Sequence, residues 1–377
     1  MSDSNNKRVS DNKTIIIDFG KISTPYCGLA EVALNYAHAL EKLKCDGIEF
    51  KYIVPKALQE KFHEHVNVNS ILPKYSGLNR LAYYLTGRKH FLCRLPDFDL
   101  YHYLHFYSPW GPKPNNAKPV LLTIHDLHAL ERTRAKKRLQ KKLGEISNIA
   151  FISNYAAQDY GNYFTSLSKD SRVIVNGVKV PLKIDSQTSK KWKHKYSEYL
   201  FTLGGLKRKN IHSLLGMLEK NNQFDSVKNL KLVVAGGVKE KYKKELFAEA
   251  ERRGVLRKLI FLGPVSERDK YELMDACRAF VFPSLQEGFG LPIIEALHFG
   301  KPVFSSNKTS LPEVGGDMVY YWENFHADYM SAILQAGLKD SDESGEAKME
   351  ERKQYACSFD WDNNAREYLD YYLQILQ

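Results

Sequence analysis

Glu287-Gly288-Phe289-Gly290-Leu291-Pro292-Ile293-Ile294-Glu295 puts two carboxylates eight positions apart on either side of a glycine turn. Just before it, Ala279-Phe280-Val281-Phe282 is an apolar run of strand length, and Pro283-Ser284 cannot easily continue a ladder. Gly288 and Gly290 permit backbone angles closed to other residues and keep side chains away from the main chain. Pro292 suits the first turn of a helix, where its missing N–H would be unpaired anyway, and Glu295 is placed in that same turn. Strand, glycine turn and helix start together offer free N–H groups and the positive end of a helix dipole to a phosphate or diphosphate. Glu295 beside such an anion is an acceptor for the two hydroxyls of a ribose. Glu287, across the glycines, faces whatever is attached beyond the diphosphate. A lone Gly-x-Gly would pass as an ordinary surface connection; the two glutamates, Pro292 and the flanking strand argue for a ligand site.

Outward from this turn, 377 residues leave room for two domains, and 43% hydrophobic content is enough for their cores. No apolar run reaches the roughly 18 residues needed to cross a bilayer. Met1 to Lys13 is polar and charged, without the apolar core of a secretory signal, so a cytoplasmic protein is expected. Cys27, Cys45, Cys93, Cys277 and Cys357 are scattered and lack CxxC spacing, which points to reduced thiols rather than a zinc site or disulfide framework. The net charge of +11 asks for an anionic partner. Nucleic acid is the weakest candidate, because no zinc-finger, RNP-like or helix-turn-helix pattern accompanies the charge. In Arg132 to Lys142 seven of eleven residues are basic, while Leu130, Leu139, Leu143 and Ile146 form an apolar stripe at helical spacing. Such a helix docks by its stripe and offers its cations to anionic lipid or a phosphorylated acceptor, or else is simply a solvated basic face.

The remainder reads as two α/β halves. Thr14 to Phe19, Phe50 to Val54, Leu100 to His105 and Pro119 to Ile124 are expected strands, with a helix starting near Gly28. The last of these strands stops at His125-Asp126. A side chain at the carboxyl end of a buried strand in an open sheet faces the ligand crevice, which makes His125 a candidate site residue. Lys183 to Tyr196 is polar, basic and without apolar period, and is expected to be a linker. Lys339 to Lys353 is expected to be an exposed connection or solvated helix. Phe359-Asp360-Trp361 leads into a terminal helix through Ala365, Tyr368, Leu369 and Tyr372. The expected division is 1–182 for an acceptor-side domain, 183–196 for the linker, 197–358 for the donor domain and 359–377 for a helix returning to the first domain.

The stretch from Glu287 to Glu295 resembles the E-x7-E signature of the family 4 glycosyltransferases, retaining enzymes that use nucleotide sugars and have the GT-B fold of two Rossmann-like domains with parallel sheets facing across a cleft. Other segments match in order. Phe201-Thr202-Leu203-Gly204-Gly205-Leu206-Lys207-Arg208-Lys209-Asn210 resembles the strand and turn opening the donor domain, Ile260 to Ser266 the strand and loop beside the base, and Lys301 to Ser306 with Thr309 to Val314 the run after the signature helix. Thr123-Ile124-His125-Asp126 resembles the amino-terminal motif whose histidine contacts the donor sugar. The resemblance implies Glu287 and His125 at the reacting sugar. It implies donor contacts from Gly28, Gly204, Gly205, Arg208, Lys209, Val265, Gly288, Phe289, Gly290, Leu291 and Glu295, with Lys209 on the diphosphate.

Two departures stand out. Where the family often carries an arginine, this chain has Gly205, so Arg208 is the candidate replacement, and one glycine at Gly28 stands where many members have two. Asp97-Phe98-Asp99 has Asp-x-Asp spacing but lies before an acceptor-side strand, so transfer without a metal or other cofactor is expected. The implied reaction moves a hexose, mannose first among candidates, from a GDP- or UDP-linked donor to a glycan or lipid-linked saccharide of a bacterial surface polysaccharide, at the inner face of the cytoplasmic membrane. Alternatives are another GT-B enzyme, such as a sugar-nucleotide epimerase or phosphorylase, and a non-catalytic glycan- or lipid-binding protein.

Overall fold

The computed structural model describes residues 12–25, 27–66, 70–71, 95–108, 111–112, 117–127, 130, 133–164, 169–180, 184 and 186–377. Cys93, Arg132 and Lys183, named above, lie outside them. The chain divides into two compact units, Met1–Gly177 with Trp361–Gln377, and Val178–Asp360.

Among the described residues of the first unit, strands β1 (Lys13–Asp18), β2 (Ile48–Ile53), β3 (Ser70–Ile71), β4 (Leu100–Tyr103), β5 (Val120–Ile124), β6 (Asn148–Phe151) and β7 (Asp170–Val173) form one parallel sheet in the order 3-2-1-4-5-6-7. In the second, β8 (Tyr199–Gly205), β9 (Lys231–Val238), β10 (Leu259–Gly263), β11 (Ala279–Phe282), β12 (Val303–Ser306) and β13 (Val319–Trp322) are parallel in the order 10-9-8-11-12-13. Both are doubly wound sheets whose order reverses beside the first strand. Parallel strands need crossover helices on both faces and so read as continuous apolar runs. Ile15, Ile16 and Ile17 of β1 and Leu232, Val233 and Val234 of β9 are accordingly all fully buried.

The helix Thr133–Leu143 confirms the apolar stripe: Leu130, Leu139, Leu143 and Ile146 pack with Tyr101, Leu122, Ile124 and Phe151 in the first core. Lys142, on the same face, is also buried; its ammonium donates to the carbonyls of Phe106 and Ser108, 3.2 Å each, and lies 3.4 Å from the Tyr103 ring centroid. The terminal helix Trp361–Leu376 belongs to this unit. Its Tyr368 and Tyr372 meet Thr123 and His102 inside.

Residues 183–196 are not a plain linker. Ser186–Tyr196 is a helix of the second unit, anchored by Trp192, whose indole donates to Glu272 at 3.2 Å, and by buried Tyr196. Two aromatics one turn apart are enough to seat a short helix but too few to show a period. The units meet in sequence at Gly177-Val178 and Asp360-Trp361 instead. The charged stretch 339–353 lies in the helix Ala327–Cys357, which is broken at Gly345; its Arg352 is buried and donates to Ser341 at 3.0 Å and Tyr320 at 3.2 Å.

Candidate active site

In a doubly wound sheet, ligands bind outside the carboxyl ends of the strands where the order reverses. In the second unit that place lies between β8 and β11. β8 ends in Gly204-Gly205, and the single turn Lys207–Lys209 follows; β11 ends in Phe282, and its loop leads to Glu287. Lys209 Nζ reaches Glu287 Oε1 at 2.6 Å and lies 4.5 Å from the Phe282 ring centroid. Arg208 Nη1 is 3.1 Å from Glu287 Oε2 and donates to the Gln286 carbonyl at 2.5 Å, and Ser284 Oγ donates to Glu287 Oε1 at 2.5 Å. The Leu285 N–H donates to the Arg208 carbonyl at 2.8 Å, so the two loops are also joined through backbone.

Glu287 is only 8% exposed. Burial alone would raise its carboxyl, but Lys209 and Arg208 outweigh that and hold it below the usual carboxylate range. Burial presses the Lys209 ammonium down while Glu287 opposes it, and the 2.6 Å contact favours the charged pair. The missing arginine has a steric cause. A Cβ on Gly205 would lie 2.2 Å from Val238 Cγ2 and 2.6 Å from the Gly237 carbonyl, so no side chain fits. Arg208, three residues on, delivers its guanidinium to the same carboxylate as Lys209.

Gly290, at φ +116°, starts the helix Leu291–His298, whose N-terminus has no side-chain cap. Pro292 has no N–H and the Ile293 N–H turns back to the Gly290 carbonyl at 2.9 Å, which leaves the Leu291 N–H at the helix start for an anion. Gly288 and Leu291 are half-buried, and Phe289 is buried against Phe359, with centroids 5.9 Å apart. Glu295 lies in the second turn of this helix rather than the first, 2% exposed. Its Oε1 accepts from Lys270 Nζ at 2.8 Å and Tyr271 OH at 3.3 Å. Val265 is half-buried just before Ser266, whose hydroxyl accepts the Asp269 N–H and caps the helix Glu267–Ala276 carrying Lys270 and Tyr271. The sequence reading missed Lys270, Tyr271 and Ser284. Ser266, three residues before an acidic residue, was the visible sign of a helix start there.

In the first unit His125 follows β5. Its Nε2 is buried with no partner among the described residues, its ring stacks on His105 at 6.2 Å and 10°, and its other nitrogen is left to the Leu104 backbone. Burial pushes the imidazole down to about 4, so it is neutral at pH 7. Nearby, Asp18 closes β1 and accepts from Tyr101 at 2.8 Å, Ser108 at 2.6 Å and the Gly20 N–H at 2.7 Å. Gly28 opens the helix Gly28–Lys42, and a Cβ there would meet nothing within 4 Å among the described residues. Asp99 accepts the Thr14 N–H at 2.9 Å and pairs with Lys13 and Lys118, each at 3.6 Å, so it ties together the amino-terminal ends of the central strands β1 and β4.

Two doubly wound units, the second with a basic pair and carboxylate at its switch point beside an open helix start, define a GT-B protein built to receive an anion. Anabaena Alr3699/HepE, solved with UDP and glucose, shares the fold with a TM-score of 0.68 at 17% identity, over 95% of this chain and 98% of its own. Residues 184–354 match the family model for glycosyl transferases group 1. O-antigen chain mannosyltransferase B of Escherichia coli is 29% identical over 293 residues, 72% of this chain and 74% of its own length. Serotype-specific mannosyltransferase WbdA of Escherichia coli is 32% identical over 197 residues, 49% of this chain but 23% of its own, so the chain spans only that fraction of this relative. Residues 184–354 carry the group 1 glycosyl transferase domain, and the chain is a glycosyltransferase.

Proposed function

We propose that this glycosyltransferase moves a hexose, mannose first among candidates, from a GDP-linked or UDP-linked donor to a glycan or lipid-linked saccharide of a bacterial surface polysaccharide, with retention and without a metal. The observation that carries this reading is the Lys209–Glu287–Arg208 cluster at the switch point beside the uncapped helix at Gly290. As the bond from the anomeric carbon to the diphosphate breaks, negative charge grows on the leaving group, and fixed positive potential at that place lowers the barrier. Lys209, Arg208 and the Leu291 N–H at the helix start supply it. When the diphosphate engages the two cations, the Glu287 carboxylate is freed to bind sugar hydroxyls and to stabilise positive charge at the anomeric centre. Glu295, oriented by Lys270 and Tyr271, accepts the ribose hydroxyls. Neutral His125 has a lone pair at Nε2 and therefore receives a sugar hydroxyl rather than an anionic group.

The mannose preference is supported by the two mannosyltransferase relatives. Peripheral contact with the inner face of the cytoplasmic membrane is supported by the helix Thr133–Leu143, which turns Lys137 and Lys141 outward; among the described residues no helix is long and apolar enough to cross a membrane. The test is turnover of a nucleotide-sugar panel with a chelator present and the anomeric configuration of the product determined. GDP-mannose should be used, with retention and with activity unchanged by the chelator. No transfer from any donor, an inverted product or complete loss in chelator each overturns the corresponding part. Lys209→Ala and Glu295→Ala should weaken binding of the nucleoside diphosphate, whereas Glu287→Ala should spare binding and lose transfer.

A further inference from the structure

We propose that Thr309 is the positioning residue for Glu287, a backbone clamp that keeps this carboxylate in place when its cationic partners turn to a diphosphate. This rests on the reading of Glu287 given above.

The segment after β12 makes a tight turn closed by the Leu311 N–H on the Lys308 carbonyl at 3.2 Å. Thr309 occupies its first central position with φ +55°. Positive φ there is the place of glycine, asparagine or aspartate. A β-branched residue in this region is a backbone outlier that persists only where its surroundings over-determine it. The surroundings here are the signature turn. Thr309 Oγ1 accepts the Glu287 N–H at 3.1 Å. The next residue, Ser310, is buried, and its Oγ bridges to the carbonyls of Glu287 at 3.1 Å and Phe289 at 2.8 Å. Both backbone groups of Glu287 are therefore held by adjacent hydroxyls from one turn.

The side chain of Glu287 is held differently, by Lys209, Arg208 and Ser284. Two of these three are cations that an incoming diphosphate would recruit. The contacts from Thr309 and Ser310 go to the main chain, involve no charge, and do not compete with the ligand. Glycine at 309 would remove the strain but also the only atom that receives the Glu287 N–H from this turn. Strain retained beside a functional group in this way is stability given up for position.

The test uses the full chain with GDP-mannose as donor and GDP as the binding probe, comparing Thr309→Ser, Thr309→Val and Thr309→Gly. Serine keeps the hydroxyl and should keep kcat within about twofold, while valine and glycine should lose about tenfold or more in kcat with GDP affinity within about twofold of wild type. Thr309→Gly should melt at or above the wild-type temperature, so that kcat falls without loss of stability. A merely structural role would lower melting temperature, GDP affinity and kcat together. An active wild type whose Thr309→Val variant keeps its kcat, or a Thr309→Gly variant whose kcat falls only in step with its melting temperature, overturns the role of Thr309. A wild-type chain that binds no GDP and turns over no nucleotide sugar overturns instead the reading of the site.

Discussion

Glu287 in the second unit and His102 in the first are both buried polar side chains on or just beyond central parallel strands, yet one is surrounded by charge and the other by hydroxyls. Glu287 meets Lys209, Arg208 and Ser284. His102 meets Tyr372 OH at 2.6 Å through Nδ1 and Thr123 Oγ1 at 2.7 Å through Nε2; Thr123 in turn pairs with Tyr368 at 2.9 Å, and Tyr36 with Tyr372. Burying a charge is costly unless it is paired, and even a paired one is often no more stable than an apolar replacement. A neutral network costs less and is enough to seat the terminal helix on the first sheet. On the proposed function, the buried charges of the second unit gain their use from an anion that takes over one partner. The first unit also buries a carboxyl at a strand end by its switch point: burial raises Asp18, against the hydrogen bond from Ser108 and the charge of Lys142.

The largest test of this contrast is on turnover. Glu287→Gln keeps the size but removes the charge, and should lower kcat by about two to three orders of magnitude, as loss of a preorganised charge-stabilising group does. His125→Asn removes one neutral hydrogen bond and should cost about tenfold. Equal losses in the two variants, measured under saturating donor, would break the contrast between the charged surroundings of Glu287 and the neutral ones of the first unit's histidines.

A smaller effect lies in the acid stability of the first unit. Burial, and then the neighbouring His125, lower His102 from 6.5 to about 3. A histidine depressed in the folded state is neutral in both states above the unfolded value. Below it, only the unfolded chain takes up the proton. Stability is therefore complete above pH 6.5 and lost as pH falls toward 3, by about 2 kcal/mol at pH 5 for His102 alone. Half-buried His125 adds in the same direction. Denaturant unfolding at pH 7 and pH 5 should show this loss, and His102→Gln should flatten it while lowering stability at pH 7. An unchanged slope in the variant would mean that burial beside His125 does not keep His102 neutral in the folded chain.

How far such details were legible in the sequence depended on range. The turn from Phe282 to Glu295 is punctuated locally by proline and glycine, and its strand and helix lie where those residues place them. The pairing of Glu295 with Lys270, and the filling of the space at Gly205 by Val238, join segments 25 and 33 residues apart and leave no local mark. The helix Ser186–Tyr196 was hidden because lysines surround its two anchors. Lys142 is a different case. Ala135, Leu139, Lys142, Leu143 and Ile146 fall on one helical face, so the pattern already turned this lysine inward, and its charge drew attention outward.

That distinction between Lys142 and its neighbours gives the smallest prediction. Lys137 and Lys141 are exposed on the helix Thr133–Leu143, while Lys142 supports the loop Phe106–Ser108 from within. A lysine near an anionic bilayer contributes about 1 kcal/mol to binding. Lys137→Gln and Lys141→Gln should each weaken partition onto vesicles rich in phosphatidylglycerol by about fivefold, with folding stability unchanged within about 0.5 kcal/mol. Lys142→Met should do the reverse, sparing partition and lowering stability, because its charge faces carbonyls and the Tyr103 ring. Co-sedimentation across a salt series separates the cases, since screening weakens surface attraction at high ionic strength but leaves buried contacts largely intact. If neither exposed substitution changes partition, the outer face of this helix is solvated charge, and the division of labour along it holds only for the inner lysine.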